Sequence, residues 1–122
     1  MPIVDVELVS ESEAEFSAIS SEALANALGI ALGSQPGQTW VRLRYLNNMC
    51  YAENLAARSQ VELPVFVTVL LAHPPVELAL AKQVAAVTKA VANGVGRSME
   101  VVHVQYAPAA AGRQAFGGEL VQ

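Results

Sequence analysis

The chain has 122 residues, a formal net charge of −4, 53% hydrophobic residues and only 15% charged ones. That length makes one domain, and the acidic balance excludes the basic patch that nucleic acid or an anionic membrane would require. A charged fraction well under the roughly 25% of ordinary soluble domains leaves more apolar surface than one small core absorbs, so burial between copies, as a homo-oligomer, is expected.

Ile3-Val-Asp-Val-Glu-Leu-Val9 alternates, with Val4, Val6 and Leu8 on one face and Asp5 and Glu7 on the other, the pattern of a half-buried strand. Ser12 and Glu15 have capping-box spacing, and Phe16, Ile19, Ala23, Leu24, Ala27 and Leu28 then recur at helical spacing until Gly33 and Pro36 stop them. Trp40 to Tyr45 reads as a second strand with Trp40, Arg42 and Arg44 on one face. Residues 47–63 are mixed and polar and read as a connection. After Pro64, Val65 to Leu71 is apolar on both faces, which predicts a central strand in a covered or intersubunit sheet. Pro74-Pro75 suits a helix start; Leu80, Val84, Val87 and Val91 form its buried stripe and Gly94 its end. Val101 to Tyr106 is the last strand, before an Ala/Pro loop and a Gly-rich tail.

The order is β-α-β twice over. Pro2 falls on Pro64 at a separation of 62 residues, and Arg42 on His103 and Tyr45 on Tyr106 at 61, which suggests an internal duplication with units 2–55 and 64–120 in one domain, 1–122. Right-handed crossovers then give an α+β fold, a four-stranded sheet with two helices on one face. Ferredoxin-like modules share this order, so the order alone assigns no function.

Cys50 is the single cysteine and makes no intrachain disulfide, in keeping with a reducing compartment. Asp5 and Glu7 stand where a secretory segment would be apolar, and the run Val65 to Ala72 is far short of the about 20 residues that span a bilayer. The expected location is the cytoplasm.

Pro2 directly precedes a strand. Once Met1 is removed its nitrogen is a free secondary amine, and an apolar pocket would keep that amine neutral and basic enough for proton abstraction. Taken alone, a proline there is more often a harmless start to an edge strand. Pro2-Ile-Val, the repeated β-α-β order, Trp40-Val-Arg-Leu-Arg44 and Phe116-Gly-Gly-Glu-Leu120 together resemble the tautomerase superfamily over nearly the whole chain, as two fused 4-oxalocrotonate-tautomerase-like units. The chain is similar to the malonate semialdehyde decarboxylase, cis-3-chloroacrylic acid dehalogenase and macrophage migration inhibitory factor branches. The resemblance implies a homotrimer with sheets inward and helices outside, no cofactor, and an active site around Pro2 near a subunit boundary. It further implies that Arg42 binds a substrate carboxylate, for which a guanidinium fork is suited, with Arg44 two residues on sharing the face.

Ser10-Glu-Ser-Glu13 stands where the family carries another arginine, which disfavours a dicarboxylate substrate unless Arg113 or Arg58 compensates. His103 occupies the second unit's arginine position, and is as readily an ordinary strand histidine; His73 reads as a helix-start residue. Tyr51 and Asn54 fall where pocket residues are expected, the Tyr51 hydroxyl as a donor to an enolate and Glu53 or Asn54 as orienting groups. Trp40 and Phe116 read as packing residues. One cysteine and two histidines give poor support to a metal site, and Cys50 has no histidine partner at a recognisable spacing. The expected activity is keto-enol tautomerisation of a small 2-oxo or 2-hydroxydienoate acid with Pro2 as general base. The alternatives are a hydratase, dehalogenase or decarboxylase with Pro2 as acid, and a noncatalytic trimeric scaffold.

Overall fold

A computed structural model describes residues 1–56 and 62–122. Strands β1 (Ile3–Ser10), β2 (Trp40–Asn47), β3 (Val65–Leu70) and β4 (Val102–Tyr106) form one sheet in the order β2-β1-β3-β4. The outer pairs are parallel and the central pair antiparallel. In both parallel pairs the first partners are 37 residues apart, Ile3 opposite Trp40 and Val65 opposite Val102. The two central strands cross with Val6 opposite Val67. Face by face, Val4, Val6 and Leu8 correspond to Val65, Val67 and Val69, all buried, which fits the 61-residue separation and not 62.

Helices α2 (Ser21–Leu32) and α3 (Glu77–Val95) cover one face of the sheet. Leu24 and Leu28 from α2 and Val87, Val91, Ala92 and Val95 from α3 close on the strand residues in a single apolar cluster. The helices approach closely at Gly94: a Cβ there would stand 2.6 Å from Leu24 Cδ1. No helix among the described residues is long and apolar enough to cross a membrane.

Several local expectations are corrected. The first helical segment breaks in two, α1 (Glu13–Ser17) and α2, because Ser20 takes an extended conformation and caps a new helix through Ala23 N, 3.1 Å. Ser12 does cap α1, accepting from Ala14 and Glu15 N, but Glu15 does not reach back to it; its carboxylate is engaged elsewhere. α3 begins at Glu77, beyond Pro74-Pro75, and ends at a left-handed Gly96, whereas Gly94 serves helix packing. Asn47 closes β2 and caps a short 3-10 turn, Asn48–Cys50, inside the segment read as a connection. The tail folds into a hairpin of β5 (Ala115–Phe116) and β6 (Glu119–Leu120) around Gly117 and Gly118, both at positive φ. β3 is central as expected, but its second face is not covered within the chain: Phe66 is exposed and Thr68 and Leu70 are half-buried.

Candidate active site

The face of the sheet opposite the helices carries Ile3, Asp5 and Glu7 from β1, Trp40, Arg42 and Arg44 from β2, Phe66 and Thr68 from β3, and His103 and Gln105 from β4. Strand alternation puts them there, since Val4, Val6, Leu8 and their partners claim the helix side.

Pro2 is half-buried at the edge of this face, where its carbonyl accepts the Trp40 N–H, 3.0 Å. The C-terminal hairpin closes over the same end. The Phe116 ring meets the Trp40 ring edge-on with centroids 5.2 Å apart, so the two residues read as packing residues do pack together. Arg113 lines a cavity of about 200 Å³ with Leu70, Ala107, Pro108 and Ala110; Leu70 is the β3 partner of Ile3. His73 sits nearby in sequence to the helix start but donates from Nε2 to the Gln122 carbonyl, 3.0 Å, and so holds the tail.

Arg42 stands on the open face two residues beyond Trp40. Its Nε and Nη2 donate to the two oxygens of Asp5, at 2.5 and 2.8 Å. This pairing raises the guanidinium pKa still further, so Arg42 is a permanent cation. Asp5 faces it because the β1–β2 register sets the two residues opposite.

Arg44 and His103 lie farther along the face. They share a groove of about 560 Å³ with Asp5, Glu7, Phe66 and Thr68. The Tyr51, Phe66 and His103 rings follow one another with centroid separations of 5.9 and 5.8 Å. The Tyr51 hydroxyl donates to Glu53, 2.6 Å, and Asn54 is exposed in the turn that follows. Glu7, opposite Arg44, lies five residues along β1 from Pro2, about 16 Å at roughly 3.3 Å per residue. One chain therefore brings Pro2 and Arg113 to one end of the sheet and Tyr51, Asn54 and His103 to the other, with Arg42 and Arg44 in consecutive outward positions along β2 between them. Arg58 lies outside the described residues.

Sequence reasoning missed two residues. Asp5 was placed on the correct face but not paired with Arg42; registering the two β-strands in parallel would have found it. Arg97 follows the helix-capping Gly96, and its side chain is 5% exposed. It donates to the carbonyls of Val9 and Leu63, both at 2.7 Å, and pairs with Glu15, 2.8 Å. Glu15 also accepts from the Ser10 hydroxyl at 2.5 Å. Partial burial pushes the Glu15 carboxyl up, but Ser10 and Arg97 outweigh it and hold the carboxyl below its ordinary value.

Among solved structures the chain is similar to Pt0534 inactivated by 2-oxo-3-pentynoate, at 18% identity over 97% of this chain and 95% of that one, with a TM-score of 0.73. It is similar to the Q0 fused 4-OT, a symmetric trimer, at 20% identity over 98% and 94% of the two chains with a TM-score of 0.67. For malonate semialdehyde decarboxylase, described with decarboxylase and hydratase activities, the figures are 17%, 94% and 90%, and 0.62. This is the tautomerase fold. Neither a protein-family model nor a curated protein sequence matches the chain. In this fold Pro2 immediately precedes β1, and the exposed Arg42 stands on the adjoining strand β2.

Proposed function

We propose that the protein is a cofactor-independent tautomerase for small 2-oxo or 2-hydroxydienoate acids. The observation that carries this reading is the position of Pro2 in the tautomerase fold: it immediately precedes β1 and accepts the Trp40 N–H, and Arg42 stands on the open face two residues beyond Trp40. With Met1 removed, the Pro2 nitrogen takes the proton of the substrate enol hydroxyl. The resulting dienolate is then reprotonated at carbon by the same nitrogen, which returns to its neutral form. Arg42 holds the carboxylate and draws electron density toward it.

The chain works as a homotrimer in this reading, because its sheet face is uncovered and Arg44, Tyr51, Asn54 and His103 lie too far from their own Pro2 to serve it. A neighbouring copy brings that end of the face to Pro2, and the trimeric fused 4-OT supports the assembly. The equal 37-residue registers support descent from a duplicated unit.

The test is ultraviolet-monitored ketonisation of phenylenolpyruvate and 2-hydroxymuconate by protein with Met1 removed, beside Pro2→Ala. Turnover that collapses in the variant supports the reading; activity indifferent to Pro2 overturns it. The similarity to malonate semialdehyde decarboxylase favours one second reading, in which a protonated Pro2 acts as general acid in hydration or decarboxylation. The pH–rate profile separates them, since a base works above its pKa and an acid below it. Retention of Met1 on the native protein would acylate Pro2 and leave the scaffold reading.

A further inference from the structure

Arg42 has two edges with which its planar guanidinium can grip a carboxylate. Asp5 occupies the edge formed by Nε and Nη2. The other edge, between Nη1 and Nη2, makes no hydrogen bond among the described residues, and the Arg42 side chain is 60% exposed. The Asp5 carboxylate is the less exposed partner, at 28%. It is anchored on β1, one strand inside the sheet edge, and so acts as the fixed half of the pair.

Within one chain the charges around this edge are balanced. Arg42 and Arg44 on β2 stand opposite Asp5 and Glu7 on β1 in consecutive outward-facing positions. A ligand with one carboxylate finds the free edge of Arg42 and adds a single negative charge to a neutral patch. A ligand with a second carboxylate brings that charge within reach of Asp5, whose own charge Arg42 only partly offsets.

We propose that Asp5 is a positioning and specificity-determining residue: it sets the guanidinium of Arg42 with one edge outward, and it makes the site select monocarboxylates over dicarboxylates. The inference rests on the reading of Arg42 as the carboxylate-holding residue, but not on any proton transfer by Pro2. Two unit charges several ångströms apart at a solvated surface interact enough to change a dissociation constant by about fivefold. The selectivity therefore belongs to low and moderate ionic strength and fades as salt shortens the screening length.

Trp40 is the chain's single tryptophan, is 43% exposed, and lies on the same face of β2 two residues from Arg42. Its fluorescence reports carboxylate binding whether or not turnover occurs. Hexanoate and adipate differ only by the second carboxylate, and each is titrated against the intact protein, Asp5→Asn and Arg42→Ala. The expected result is that hexanoate binds at least about fivefold more tightly than adipate. Asp5→Asn brings the two dissociation constants within about twofold of each other, and Arg42→Ala removes both responses. In turnover, the Asp5 variant shifts the KM ratio of phenylenolpyruvate to 2-hydroxymuconate in the same direction while the kcat ratio stays put.

A selectivity that Asp5→Asn leaves within twofold of the original overturns the proposal. So do responses that survive Arg42→Ala, and so does the absence of any response in the intact protein. If instead Pro2→Ala retains full activity while the fluorescence selectivity behaves as stated, the tautomerase reading fails and the role of Asp5 stands.

Discussion

Each β-α-β unit has a proline directly before its first strand, and the two prolines sit in different surroundings. Pro2 is half-buried at an open end of the sheet, with one hydrogen bond from Trp40 to its carbonyl and the exposed Arg42 beside it. Pro64 is buried, its nitrogen is an internal amide, and its carbonyl accepts from Val9 N at 3.2 Å and from Arg97 Nη1 at 3.4 Å. The end of the second unit is thus a weld made by Arg97, Glu15 and Ser10. Repetition of a fold unit supplies two similar ends, but the internal Pro64 has no free amine to offer, and the buried Arg97 ties its end into a structural joint.

The sharpest way to break this comparison is to remove each proline in turn. Pro2→Ala is expected to lower kcat for phenylenolpyruvate by roughly 10²–10⁴-fold, the usual worth of a general base, with little loss of folding stability. Pro64→Ala is expected to leave kcat within about threefold. Comparable losses in both variants, measured by steady-state kinetics, would end the distinction between the two ends.

Arg97→Ala tests the weld. It orphans the Val9 and Leu63 carbonyls and leaves Glu15 without its cation, so a loss of about 3 kcal/mol is expected by urea denaturation. Gly94→Ala probes where the units' helices meet. The added methyl group collides with Leu24, which is fully buried, and about 1–3 kcal/mol of overpacking cost should appear as a lower thermal midpoint.

The smallest effect is in pH. Because the Glu15 carboxyl is held below its ordinary value of 4.5 in the folded chain, its contribution is present above that value and drains away as pH falls through the folded pKa. The urea midpoints of the parent chain and Glu15→Gln should therefore differ at about pH 6 and draw together as the pH is lowered below 4.5 and through the folded pKa.

Much of this architecture was legible because short-range patterns carry it. Alternation in Ile3 to Val9 and in Trp40 to Tyr45 placed Asp5 and Glu7 on one face of β1 and Trp40, Arg42 and Arg44 on one face of β2, as the sheet has them. The outcome at Gly94 and Gly96 was different: either glycine can end a helix, and only the approach of Leu24 distinguishes the one needed for packing from the one needed for a left-handed turn. Gly117-Gly118 between Phe116 and Glu119 was a hairpin signal that the tail's composition obscured. Arg97 left no trace in any local pattern, since its partners are chiefly backbone carbonyls 34 and 88 residues away. For the candidate site, residue types and faces were readable, but the distance separating Pro2 from Arg44, Tyr51 and His103 follows from strand order and register.

The Arg97 contacts also bear on how the molecule opens. One side chain is bound at once to the end of β1, the approach to β3 and the first turn of α1, while its own backbone follows the cap of α3. None of these segments can detach without stripping a buried cation of its partners, so they form one cooperative unit. The Val9 amide, which donates to Pro64, should then exchange its hydrogen only through near-global opening, whereas the Trp40 amide that donates to Pro2 exchanges through local fraying at the opposite end.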